Sequence, residues 1–106
     1  MMPKPKKYLL RYMPLFEEDV ASVKNYISEK LQNPSAALAL ISALEKAILQ
    51  RLSAPLAFEA YPSIRQRKHN YYRIYVKNYT VFYVVIDNVM EIRRFLYSSR
   101  DMDKLL

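Results

Sequence analysis

The apolar residues of this chain change their spacing once, and two prolines, Pro55 and Pro62, mark the place. Before them, Phe16, Val20, Val23, Ile27 and Leu31 recur at intervals of four, three, four and four, which lines them up on one face of an α-helix. After them, residues 71–77, 79–86 and 89–97 are rich in Tyr, Val, Ile and Phe, the composition and period of strands. Helices first and a run of strands afterwards, within 106 residues, define a single domain of the α+β class covering 1–106.

Punctuation refines the order. Residues 8–13 read as a first strand that Pro14 ends. The first helix spans about 16–32, and Glu17, Glu18 and Asp19 fall in its first turn, where acids complement the helix dipole. Asn33-Pro34 reads as an N-cap followed by proline at the first helical position. A second helix then runs to about 53, with Leu38, Ile41, Leu44 or Ala47, Ile48 and Leu52 as its apolar stripe. So short a connection predicts an antiparallel helical hairpin. Lys77-Asn78 and Asp87-Asn88 are polar breaks suited to tight hairpin turns. The expected architecture is β-α-α-β-β-β: a twisted antiparallel sheet with the hairpin packed on one face and the other face concave and partly open.

Composition excludes several chemistries. There is no Cys and one His, His69, so neither a disulfide framework nor a multi-histidine metal site is available. The absence of Gly removes every glycine-rich phosphate loop. No cofactor and no metal are expected. No apolar run is long enough to span a bilayer, and no long apolar stretch follows the basic start, so the expected location is the cytoplasm.

The charge is +7 and unevenly placed. Residues 1–59 carry 8 basic and 6 acidic groups, whereas 60–106 carry 9 and 4. Between Ala60 and Ile86 there is no acid at all, while Arg65, Arg67, Lys68, His69, Arg73 and Lys77 alternate with tyrosines such as Tyr71, Tyr75, Tyr79 and Tyr83. Cations hold phosphates and aromatic rings stack on unpaired bases, so the mixture suits single-stranded RNA. Tyr79 and Tyr83 are expected instead to be ordinary, half-buried strand residues. In residues 71–77, Tyr72, Ile74 and Val76 share one face and should meet the helices, leaving Arg73 and Tyr75 on the other. In 89–97 the alternation is mixed, and parity does not tell whether Arg93 or Arg94 lines the concavity or pairs with Glu91.

The stretch from Tyr72 to Asp87 resembles the central strands of the RelE/ParE toxins, and Glu91 to Asp101 resembles their last strand with its arginine-aspartate close. The resemblance extends over nearly the whole chain. It implies the toxin of a type II toxin–antitoxin system, with a cognate antitoxin as partner. Two activities occur in that family: ribosome-dependent mRNA cleavage and non-enzymatic inhibition of DNA gyrase. The basic segment places the ribosome and mRNA first and gyrase as the alternative. On the first activity, Arg73 and Arg100 match basic positions of the nucleases. Tyr97 and His69 would substitute for a missing C-terminal tyrosine in proton transfer, making Arg73, Arg100, Tyr97 and His69 the catalytic candidates. Arg65, Arg67, Lys68 and Tyr75 would bind RNA. Tyr75 and Thr80 stand where those nucleases carry further basic residues, and the leucine-terminated ending also resembles ParE-like members.

Overall fold

A computed structural model describes residues 7–63, 67–100 and 102–106. The elements are β1 (Leu9–Tyr12), α1 (Pro14–Asn25) running on into a π-helical turn (Tyr26–Lys30), α2 (Pro34–Arg51), β2 (Tyr72–Val76), β3 (Tyr79–Ile86), β4 (Val89–Tyr97) and a short α3 (Met102–Leu105). The expected order holds, with α3 added as its last turn. α1 starts at Pro14, earlier than expected, so Glu17 is the acid of its first turn. The Asn33 side chain accepts the Ala36 N–H at 3.1 Å and Pro34 opens α2, as the sequence predicts. Gln32, in the left-handed region at φ 49°, turns the chain between the helices.

The four strands form one sheet in the order β1-β4-β3-β2. β2, β3 and β4 make the expected antiparallel meander, but β1 pairs with β4 in parallel, Leu9 opposite Val89 and Tyr12 opposite Ile92. The sheet is therefore mixed rather than wholly antiparallel. A parallel partner needs a long crossover, and the helical hairpin with β2 and β3 supplies it. Both hairpins have two-residue turns, Lys77-Asn78 and Asp87-Asn88. With no glycine in the chain, Lys77 and Asp87 themselves take positive φ, 54° and 55°.

The main core lies between helices and sheet: Phe16, Leu40, Leu44 and Ile48 against Ile74, Val81, Tyr83, Met90, Ile92 and Phe95. Burying such a side chain stabilises by about 1.5–3 kcal/mol. α2 presents Ala37, Leu40, Leu44 and Ile48, a face rotated from the predicted stripe, and Leu38 is left exposed. The alanine-rich sequence permits either rotation, and docking on the sheet selects one.

The second face of the sheet is covered over much of its area. Phe82, Val84 and Leu96 are buried there beneath Tyr61, Tyr71, Met102, Leu105 and Leu106. The loop before β2 and the chain end roof part of the face expected to be concave and partly open, and Tyr75 at β2 stays exposed on it.

β4 explains its own mixed pattern. Phe82 pairs with Arg94 but Tyr83 pairs with Ile92, so Arg93 is an extra residue in a β-bulge. Met90 and Ile92 face the helices before the bulge, and Phe95 faces them after it. Glu91 is buried and bonded by Arg93 at 2.9 Å, with Arg11 at 3.6 Å. Arg94 points to α1 instead, where its Nε and Nη2 donate to both oxygens of Asp19 at 2.7 and 3.0 Å.

Asp19 also accepts the Phe95 backbone N–H at 3.0 Å, and Arg94 Nη1 donates to the Leu105 carbonyl at 2.8 Å. One carboxylate thus ties α1 to β4 just past the end of β1, and through Arg94 to the chain end. Asp19→Ala should lower the free energy of unfolding by about 2–4 kcal/mol, because a charged bidentate bond and a backbone acceptor are both lost. Urea unfolding of this variant, of Arg94→Ala and of the double variant checks it: the double change should cost clearly less than the two single costs added.

Candidate functional site

The residues singled out from the sequence fall into separate groups: Arg73 with Tyr75, Tyr97 with Arg100, and Arg67 with Lys68 and His69. Arg73 and Tyr75 lie on the roofed face, at the edge strand β2, as strand parity predicts. Arg73 sits between two rings, 5.2 Å from the centroid of Tyr61 and 5.7 Å from that of Tyr75, and Tyr75 is exposed. Tyr97 emerges on the helical side, because the bulge reverses the alternation. It packs edge-on against Tyr79, centroids 5.6 Å apart. Arg100 follows, its backbone N–H bonded to the Tyr97 carbonyl, and shares a recess with Tyr97. His69 and Lys68 lie in a shallow hollow with Arg67, Tyr71 and Arg93.

Arg67 has a structural task. Its guanidinium donates to Ser63 and to the carboxylate and carbonyl of Asp103, and its side chain is 14% exposed. It fastens α3 to the loop before β2. Arg65 lies outside the described residues. No group of three or more His, Asp or Glu side chains that could hold a metal is found among the described residues.

Further concavities lie on the surface, two of them beside the body of α1. The first is a groove of about 350 Å³ between α1 and α2, lined by Tyr12, Phe16, Val20, Ile41 and Leu49 with Glu17 and Glu45 at its sides. Leu15, Leu38 and Leu49 are exposed on the hairpin. The second, of about 680 Å³, lies where the π-helical turn passes the end of the sheet, and is lined by Tyr26, Leu31, Asn78, Tyr79, Tyr97 and Arg100 among others. Sequence reading missed Tyr26 and Asn78 here and assigned Tyr79 to the sheet. Tyr79 does stack on Phe95 at 5.0 Å, yet its outer side lines the recess. Tyr26 lies off the apolar stripe of the first helix, and that exposed aromatic is the one signal that could have found it.

The edge strand β2 is guarded. Arg51, at the end of α2, donates to the Arg73 carbonyl at 2.9 Å and to the Tyr83 hydroxyl at 3.0 Å, and lies 3.5 Å over the Phe58 ring. The Tyr61 N–H bonds the Tyr71 carbonyl. One carbonyl of β2 and the carbonyl just before it are therefore taken, which blunts pairing with another chain.

The sequence matches the family described as ParE toxin of type II toxin-antitoxin system, parDE, over residues 10–102. The chain belongs to this family, and with it to the RelE/ParE superfamily of toxins that its strands resemble. No curated protein matches it by sequence. Among solved structures it is similar to a chain titled "Chromosomal ParDE TA system from P. aeruginosa", with a TM-score of 0.72 and 12% identity over 87% of this chain and 97% of that one. At that identity the likeness is one of fold. No described helix is long and apolar enough to cross a membrane.

Burial raises the phenols of Tyr83, Tyr79 and Tyr12 above the ordinary tyrosine value. Nearby Tyr26 and Tyr97 add to the effect at Tyr79, Glu45 adds to it at Tyr12, and the Arg51 hydrogen bond partly opposes it at Tyr83. The fold favours the neutral phenol. Its contribution is complete below pH about 10 and is lost as pH climbs through the raised folded values. Ultraviolet titration of the ten tyrosines should show a late class that ionises together with alkaline unfolding, and Tyr83→Phe should shrink that class.

Proposed function

We propose that this protein is a ParE-like toxin that inhibits DNA gyrase by binding it, without chemistry of its own, and that a cognate antitoxin silences it by occupying the groove between α1 and α2. The observation that carries the first half is the dispersal of the phosphate-handling candidates. Arg73 is on one face of the sheet, Tyr97 emerges on the other, and Arg67 is committed to Asp103. A general acid, a base and a charge-stabilising cation must converge within about 3 Å of the reacting atoms, and these side chains do not. The match to the ParE family favours the same reading over mRNA cleavage, which the basic sequence segment had placed first.

For the antitoxin, the groove offers apolar walls and two acids, Glu17 and Glu45, on a protein that is otherwise basic. An amphipathic helix with apolar residues at helical spacing and a flanking Lys or Arg matches it.

The test is to incubate the purified toxin with gyrase, ATP and relaxed plasmid. Accumulation of cleaved DNA complexes or loss of supercoiling is expected, with intact transcripts in poisoned cells. Normal gyrase activity together with new mRNA ends inside translated codons, abolished by Arg100→Ala, would reverse the assignment. For the groove, Leu49→Glu should leave toxicity intact but weaken rescue by the antitoxin encoded alongside at least tenfold. Full rescue of this variant would place the antitoxin elsewhere.

A further inference from the structure

The second recess is separate from the groove between α1 and α2 and shares none of its lining residues. Its floor is a ring stack, Tyr79 on Phe95 at 5.0 Å with a small interplanar angle of 25°. Two further rings flank it, and both stand half free: Tyr26 is 53% exposed and Tyr97 47%. Phenols cover much of their apolar area when a partner stacks on them, so two half-exposed rings beside one opening form a place where a flat group is favoured. Asn78 also lines the recess, and a carboxamide can both donate and accept hydrogen bonds.

Arg100 is the one cation among the lining residues. Among the described residues no carboxylate lies within ion-pair distance of it. The acid in the wall, Asp19, is already engaged by both the Arg94 guanidinium and the Phe95 N–H. The recess is therefore lined by rings and a single cationic side chain. A base with its phosphate fits that pattern, since stacking accepts any base and one guanidinium matches one phosphate. An acidic peptide would call for cations along its length, and the lining supplies one. The volume of about 680 Å³ falls in the range of small-ligand sites.

We propose that this recess binds one unpaired nucleotide of a nucleic-acid strand, the base stacked on Tyr97 and Tyr26 and the phosphate held by Arg100. The contact is one of binding and involves no bond cleavage. It goes beyond the gyrase reading and does not depend on it, because it concerns the toxin alone with a strand. DNA and RNA share the chemistry, and the experiment separates them.

Fluorescence anisotropy of labelled dT and rU decamers with the full chain, and of a dT·dA duplex, reads the site directly. Either single strand should bind at least tenfold more tightly than the duplex, and the tighter of the two identifies the natural source. Tyr97→Leu and Tyr26→Leu should each weaken strand binding roughly 5- to 100-fold, the range expected for losing one stacked base. Arg100→Gln should lower the salt slope by about one phosphate contact, near 0.7. Arg73→Gln and Tyr75→Leu, on the opposite face, should keep the affinity, and unchanged unfolding midpoints would show that the variants are folded. The proposal fails if no strand binds, if the folded tyrosine variants bind like the parent, or if the loss follows Arg73 and Tyr75 instead. It fails equally if poly-glutamate displaces the strand as well as unlabelled dT does. None of these readouts involves gyrase, so each outcome is independent of the proposed function.

Discussion

The second half of β4 has no strand beside it on the β1 side, and a carboxylate takes the place of one. β1 ends at Tyr12, opposite Ile92. The Met13 N–H still reaches the Ile92 carbonyl, and then Asp19 accepts the N–H of Phe95 and binds Arg94 in a fork. A charged acceptor satisfies an edge donor more strongly than a neutral carbonyl would. It also fixes the distance between α1 and the sheet. Phe16, three residues earlier on α1, is thereby placed against Phe95 at 6.5 Å between centroids. The bulge at Arg93 works with this contact. It turns Phe95 toward the helices and leaves Arg94 free to meet Asp19.

That reversal sets the surface chemistry. Had β4 alternated without a break from Ile92 to Tyr97, Tyr97 would point to the same side as Arg73, and a basic, tyrosine-containing patch would form on one face. With the bulge, Tyr97 joins Tyr79 and Tyr26 beside α1, while Arg73 stays with Tyr61 and Tyr75. The cations are divided in the same way. Arg93 and Arg11 neutralise the buried Glu91, Arg94 serves Asp19, Arg67 holds Asp103 and Arg51 guards the β2 edge. Much of the positive charge that suggests a polyanion partner is thus employed inside the fold, where a buried acid without a partner would be costly. Arg100 is one cation that such pairs do not absorb.

The chain also manages without glycine. Its two hairpin turns take left-handed conformations at Lys77 and Asp87, and its helix connection takes one at Gln32. A side chain in that region carries a penalty of roughly 1 kcal/mol. The long ladders of β3 with β2 and β4 hold these turns in register against it. The groove on the helical hairpin lies away from the strand turns, whereas the second recess takes Asn78 of the Lys77-Asn78 turn into its lining.

Local chemistry was enough to determine the elements. The spacing of Phe16, Val20, Val23 and Ile27, the Asn33-Pro34 cap, and the alternation of Tyr72, Ile74 and Val76 against Arg73 and Tyr75 are properties of short segments, and each segment folds as its own period dictates. The resemblance of the strand residues to a toxin family belongs to the same level. Three matters were decided only by tertiary structure. The parallel seat of β1 and the roof over Phe82 and Val84 depend on where distant segments pack. The rotation of α2 depends on which of two similar stripes docks better. The split of Arg73 from Tyr97 depends on one inserted residue in the pairing of β3 with β4, and a register between strands is a relation between two segments that neither carries alone.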